Sequence, residues 1–298
     1  MNSRRHAFGP VALGLAALVA LGGCQGEKKA APAATLRFSA IPDDNTTELN
    51  RKFQPVAKYL SDALGVPVEY VPASDYGASV EMFKNGDIQL AWFGGLTGVQ
   101  ARQAVPGSHA IIQGAEDPQY YSYFIAKAST GLKAGDEFPM DIASKKFTFG
   151  SPQSTSGRLM PEFYIRRYTK QSPEDFFTQP FGFSGSHDKT IEQVASGAFE
   201  VGAVNYLTYD SWVKEGKVDP KDVYVIWKTP TYADYNFTAH PEIETTFGQG
   251  FTQRLQRALV DMKDPALLDA FRRSALIPAN DAEFDAILDV ARSLDMAR

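Results

Sequence analysis

Leu36-Arg37-Phe38-Ser39-Ala40-Ile41-Pro42-Asp43-Asp44-Asn45 is the stretch on which the fold turns. Its first residues alternate, as a half-buried strand does, and Pro42-Asp43-Asp44 breaks the run into a turn. Asn45 with Glu48 three residues on resembles a capping box, the reciprocal pairing that starts a helix. Leu49, Phe53, Val56, Ala57, Leu60 and Leu64 then share one helical face, and Gly65 closes it. Val66 to Val71 reads as a second strand. Asp75-Tyr76-Gly77 reads as a turn, followed by a helix through Val80, Met82 and Phe83 to Gly86. Ile88 to Phe93 is a third strand, ending in Gly94-Gly95. Strand, helix, strand, helix, strand is the order of an α/β layer with parallel neighbours. Ligands of such sheets sit beyond the carboxyl ends of the strands, which places Ile41–Asn45, Ser74–Tyr76 and Phe93–Thr97 on one rim.

Past this layer come a helix through Val99 to Ala104, a strand at Ala110 to Gln113 and a strongly β-like crossing segment, Tyr120 to Ala126. From Gly131 the pattern restarts. Strands are expected at Lys145–Phe149, Phe181–Phe183, Phe199–Val204 and Val223–Trp227, with a helix bearing Ile191, Val194 and Ala195 among them. The tail carries amphipathic helices, one on Phe251, Leu255 and Leu259, another on Phe284, Ile287, Leu288 and Ala291. An α/β signal that occurs twice implies two α/β lobes. Joined by crossing strands, they make a clamshell, a geometry suited to enclosing a small solute by hinge closure.

The formal charge of −5 argues against nucleic acid, which wants a basic face. It also requires any bound anion to be held by local donors and dipoles. Arg4 and Arg5, the apolar run Val11 to Leu21, and Leu21-Gly22-Gly23-Cys24 read as a bacterial lipoprotein leader. Residues 1–23 are then the signal peptide, Cys24 the lipidated first residue and 24–34 a polar tether. The run is shorter than the roughly 20 residues a spanning helix needs. Cys24 is the only cysteine, so no internal disulfide and no cysteine metal set is available.

Phe149-Gly150-Ser151-Pro152-Gln153-Ser154-Thr155-Ser156-Gly157-Arg158 is the chemically richest stretch. An apolar strand end gives way to three adjacent hydroxyls at a helix start, where free N–H groups and the helix dipole favour an oxyanion. Helix capping alone would also use Ser and Thr here. His187, one of four histidines, follows Gly185-Ser186 at a second helix start and can donate to an anion while neutral. Tyr76 and Tyr120 fall on rim positions, each offering a donor and a flat wall. Trp92 ends a strand and suits core packing. Arg158 suits either an anion contact or a solvated helix face. There is no Gly-x-Ser-x-Gly elbow, Gly-x-Gly-x-x-Gly, Walker pattern or metal-ligand spacing, so neither cofactor nor metal is expected and the chain does not read as an enzyme. A Ser156–His187 pair in an envelope hydrolase of phosphate esters is the competing enzymatic reading.

Asp75-Tyr76-Gly77, Ile88 to Gly94, Asp117-Pro118-Gln119-Tyr120-Tyr121, Ser154-Thr155-Ser156-Gly157, Gly185-Ser186-His187 and Val225-Ile226-Trp227-Lys228-Thr229-Pro230 resemble the phosphonate/phosphite-binding proteins of ABC importers. The resemblance implies a two-lobe periplasmic binding protein, with 35–123 and 229–298 in one lobe and 124–228 in the other. It implies that Ser154, Thr155, Ser156 and His187 hold the phospho group, that Tyr76 and Tyr120 complete the pocket, and that Asn205 and Asp234 lie at the site. Aminoalkylphosphonate binders of this family carry a Glu where this chain has Leu207, and an Asp near the position of Asp234. Loss of the Glu removes a counter-charge that a buried ammonium needs. The expected ligand is therefore a compact oxyanion: phosphite, phosphate, a simple phosphonate, or a selenate-like anion. Expected partners are a permease and its ATPase, with a membrane engaged through the acyl anchor and the protein itself a monomer. A sensor docking on a receptor would use the same clamshell.

Overall fold

Strand β1 (Leu36–Ala40) opens the fold of a computed structural model that describes Gly9 and residues 34–297. The lipidation site expected at Cys24, and the leader and tether around it, lie outside the described residues apart from Gly9 and Ala34. Helix α1 (Thr46–Leu64) follows, and its N-terminus shows how local chemistry set the boundary. The Asn45 side-chain oxygen accepts from the N–H groups of Thr47 and Glu48 at 3.0 and 3.2 Å. Glu48 turns outward to Arg51 instead of back to the cap, so only half of the expected box forms. Gly65 ends the helix in the left-handed conformation, φ 71°, that a β-carbon disfavours.

A six-stranded sheet runs β11-β4-β10-β3-β1-β2. Its members are β1, β2 (Val68–Tyr70), β3 (Leu90–Phe93), β4 (His109–Gly114), β10 (Asn236–Ala239) and β11 (Leu276–Pro278). The first three pair in parallel; β10 and β11 pair antiparallel to their neighbours. Helices α2 (Tyr76–Lys84) and α3 (Gly95–Ala104) connect this layer. A five-stranded sheet runs β7-β6-β8-β5-β9, built from β5 (Ser122–Lys127), β6 (Phe147–Phe149), β7 (Gly182–Phe183), β8 (Val201–Asn205) and β9 (Val223–Lys228). It carries α4 (Met160–Thr169), α5 (Pro173–Phe176), α6 (His187–Ser196) and α7 (Tyr206–Lys214).

Two differences from the sequence reading matter. Tyr76 and Gly77 are not in a turn: Asp75 caps α2 by accepting the Ala78 N–H at 2.8 Å, so Tyr76 is the first helical residue. Strand β10 went unread because its four residues are buried on both faces and show no alternation.

The chain passes between the sheets at residues 115–121 and 229–235. These crossings are tied by a reciprocal pair of backbone bonds between Tyr120 and Tyr232, 2.9 Å each. Behind them, Arg273 grips Asp117 with both arms of its fork, at 2.9 and 2.7 Å. Asp117 also accepts from the N–H groups of Gly114 and Tyr235, which satisfies the buried carboxylate. The guanidinium lies against the rings of Trp92, Tyr120 and Tyr235.

Removing one partner strands a buried charge. Arg273→Met is expected to cost about 3–5 kcal/mol in urea denaturation, against under 1 kcal/mol for a surface pair such as Lys58–Asp62. Equal losses in Arg273→Met and Lys58→Met would contradict this.

Candidate functional site

The hydroxyl turn begins where β6 ends. Ser154 caps it, its Oγ accepting the Gly157 N–H at 2.9 Å. The Ser154 carbonyl accepts from both Arg158 and Leu159, at 3.1 and 2.9 Å, which widens the first turn, Thr155–Leu159, into a π-type coil that runs into α4. Gly157 is required by close approach. A β-carbon there would stand 3.0 Å from the Gly150 Cα and 3.2 Å from Cε1 of His187. Ser154, Thr155 and Ser156 are all buried.

Arg158 is not on a solvated helix face. It is buried, stacked over Phe149, Phe181 and Phe183 with its nearest ring centroid at 4.3 Å, and paired with Glu162. Three phenylalanines clustered nearby explain why a helix-start arginine turns inward.

His187 is the first residue of α6, and its imidazole is fully buried. Nδ1 accepts the backbone N–H of Asn205 at 3.3 Å, so the ring proton sits on Nε2, which faces the Ser156 hydroxyl at 3.4 Å. Burial, assisted by the charge of Arg272, pushes its pKa down to about 3. The ring is thus a neutral donor. In this tautomer Nε2 presents its proton, not a lone pair, to the Ser156 hydroxyl.

The opposite wall comes from the six-stranded side. Thr155 reaches over to it, its Oγ1 accepting the Leu96 N–H at 3.0 Å. Asp234 accepts the Gly95 N–H at 2.9 Å. Two N-terminal amides of α3 are thereby taken, with the carboxylate at the positive end of the helix dipole. Gly94 permits this convergence, since a β-carbon there would lie 3.0 Å from Thr155 Oγ1 and 3.3 Å from Asp234 Oδ1.

Three polar atoms in this buried space have no protein partner of good geometry: the hydroxyls of Tyr76 and Tyr120, and Oδ2 of Asp234. The Tyr76 hydroxyl is still close enough to Ser154 for the two to interact. Unsatisfied buried polar groups are costly, and the two phenol donors among them suit an acceptor-rich guest.

Asn205 links the parts. Its Oδ1 caps α7 through the Thr208 N–H at 2.7 Å, and its Nδ2 donates to Tyr235 Oη at 3.2 Å. Tyr235 in turn donates to Asp43 Oδ2 at 2.8 Å, while the Asp43 carbonyl accepts the His187 N–H at 3.0 Å. Asp43 and Tyr235 were not among the sequence candidates. Asp43 lay on the expected rim, and Tyr235 follows Asp234, so position was the available signal. Leu207 lies beside Asn205 on a small cavity that Asp43 also lines. Each nearby arginine has a carboxylate partner, Arg158 with Glu162, Arg272 with Asp44 and Arg273 with Asp117, while Nη1 of Arg158 and Nε of Arg272 stay buried without one. A larger cleft of about 680 Å³ between α1, α6 and α7 is lined by charges of both signs and by none of the hydroxyl-turn residues.

Burial raises Asp43 to about 6 and Asp234 to about 7. Each holds in the folded state a proton it loses when unfolded, from about pH 4 up to its folded value, so stability falls as pH rises through that window. His187 acts oppositely, and only below about pH 6.5. Between about pH 6 and 8 the slope therefore comes mainly from Asp234. Urea midpoints should fall across that range, and Asp234→Asn should flatten the fall; the same slope in both proteins would contradict the assignment.

Residues 38–284 match the profile of a family described as ABC transporter, phosphonate, periplasmic substrate-binding protein. A protein of Prochlorococcus marinus (strain MIT 9301), named as a probable ABC transporter phosphite binding protein, PhnD1, is 36% identical over 270 residues, covering 88% of this chain and 91% of that one. The phosphate-import protein PhnD of Mycolicibacterium smegmatis is 28% identical, covering 86% of this chain and 84% of its own. The structure of the Prochlorococcus PhnD1 in complex with methylphosphonate superposes with a TM-score of 0.83, over 88% of this chain and 98% of that one. The chain belongs to the phosphonate-type periplasmic substrate-binding proteins of ABC transporters.

Proposed function

We propose that this protein captures one small phosphorus oxyanion (phosphite, phosphate or a simple phosphonate) and delivers it to the permease and ATPase of an importer. The supporting observation is the convergence of the hydroxyl turn, the Nε2–H of a neutral His187 and the unpartnered hydroxyls of Tyr76 and Tyr120 on one buried space. All are neutral donors, the set that a dehydrated anion requires when no cation reaches it. Relatives named for phosphite binding and phosphate import, and one solved with methylphosphonate, support the same ligand class.

Asp234 refines the choice. A carboxylate facing a dianion repels it, whereas one proton shared between them makes a hydrogen bond. The site therefore favours an anion bearing an acidic O–H at neutral pH, as phosphite and phosphate do. Leu207 supplies no counter-charge for an amine, so 2-aminoethylphosphonate is a poor guest.

In this proposal the residues 35–123 with 229–298 form one lobe and 124–228 the other, and closure brings Asp43 onto His187 and Leu96 onto Thr155. Cys24 would tether the protein to the envelope membrane, within reach of the permease.

Calorimetry should show stoichiometric binding of phosphite or methylphosphonate and no detectable 2-aminoethylphosphonate binding; a preference for the aminophosphonate would overturn the ligand assignment. Ser156→Ala combined with His187→Ala should weaken binding by about 3–5 kcal/mol, two charge-assisted bonds. Unchanged affinity in a folded double variant would remove the site from its proposed place.

A further inference from the structure

Arg272 adopts a left-handed backbone, φ 52°, although it carries a β-carbon. Such strain persists where the surroundings over-determine it, and it often marks a functional position. Here two successive side chains enter the interior, Arg273 toward Asp117 and Arg272 toward Asp44. The Asp44 pairing uses Nη2 and leaves the Nε–H of Arg272 buried without a protein partner. Across the junction, in the first turn of α7, Thr208 spends its backbone N–H on Asn205, and its hydroxyl is also buried and unpartnered. Both residues line the same interior cavity of about 10 Å³, beside Asp43, Tyr120 and Asn205.

That volume is close to what one water needs, and a buried water needs two to four polar partners. We infer that this cavity is a binding site for a single ordered water, which accepts the Nε–H of Arg272 and hydrogen-bonds the Thr208 hydroxyl, with Asp43 as a further acceptor. Arg272 leads into β11 on the six-stranded side, while Thr208 follows β8 on the five-stranded side, so the water joins the two. Leaving both groups bare would cost more than ordering one water. Thr208 is thus a positioning residue: it touches no ligand, and its bond completes only when the halves meet. It should slow reopening and leave ligand arrival alone. This role rests on the closure proposed above.

The test uses the mature protein with phosphite and with methylphosphonate as probes. Stopped-flow dissociation should be roughly 3- to 10-fold faster in Thr208→Val, which keeps the shape and loses the hydroxyl, with the association rate held within about twofold. Thr208→Ser, which keeps the hydroxyl, should behave as the parent. A high-resolution crystal structure of the parent should show one water within hydrogen-bonding distance of Thr208 Oγ1 and Arg272 Nε. Parent-like dissociation in a folded Thr208→Val, or a cavity that is dry or filled by ligand atoms, overturns the inference. If neither anion binds, the proposed function fails while the density still decides the water site.

Discussion

The bond from the Asn205 amide to Nδ1 of His187 is the constraint on which the site depends. It fixes one tautomer and, together with burial, keeps the ring neutral. A charged imidazole here would pair strongly with any anion, but it would also have to be buried as a cation in the absence of the ligand, at heavy cost. A neutral donor avoids that penalty and still offers one directed proton. The same tautomer turns a proton, not a lone pair, toward the Ser156 hydroxyl.

Around that bond, the site is divided between the two sheets. The hydroxyl turn and His187 belong to the five-stranded side, while Tyr76, Asp234 and the α3 amides belong to the six-stranded side. Several groups serve two masters. His187 gives its ring proton toward the site and its backbone N–H to Asp43 on the other side. Asn205 holds the imidazole with its amide and Tyr235 with its side chain. The proposed ligand contacts and the contacts between the two sheets therefore share one hydrogen-bond network. The arginines are paired with Asp44, Asp117 and Glu162, and in a chain of net charge −5 the proposed site relies on dipoles and neutral donors.

Much of this was legible in the sequence because the informative features are local. Asn45 before a six-residue apolar face announced α1, and the Ser-Thr-Ser-Gly after an apolar strand end announced a donor-rich turn. What stayed hidden depends on contacts distant in the chain. Asp43 and Tyr235 are 192 positions apart and meet only when the sheets pack. The sheltering of Arg158 is invisible in the sequence because the three phenylalanines around it lie on two different segments. The π-type widening of the hydroxyl turn follows from a single carbonyl accepting twice, a geometry that no residue pattern encodes. Strand β10 escaped notice because burial on both faces erases alternation.

The central claim is that a buried, uncharged histidine offers Nε2–H to the bound anion. Nitrogen NMR of the His187 ring in the phosphite-loaded protein, followed from about pH 5 to about pH 8, reads tautomer and charge directly. The account predicts a neutral ring, protonated on Nε2 alone across the whole range. A ring protonated on both nitrogens, or on Nδ1 alone, would contradict it.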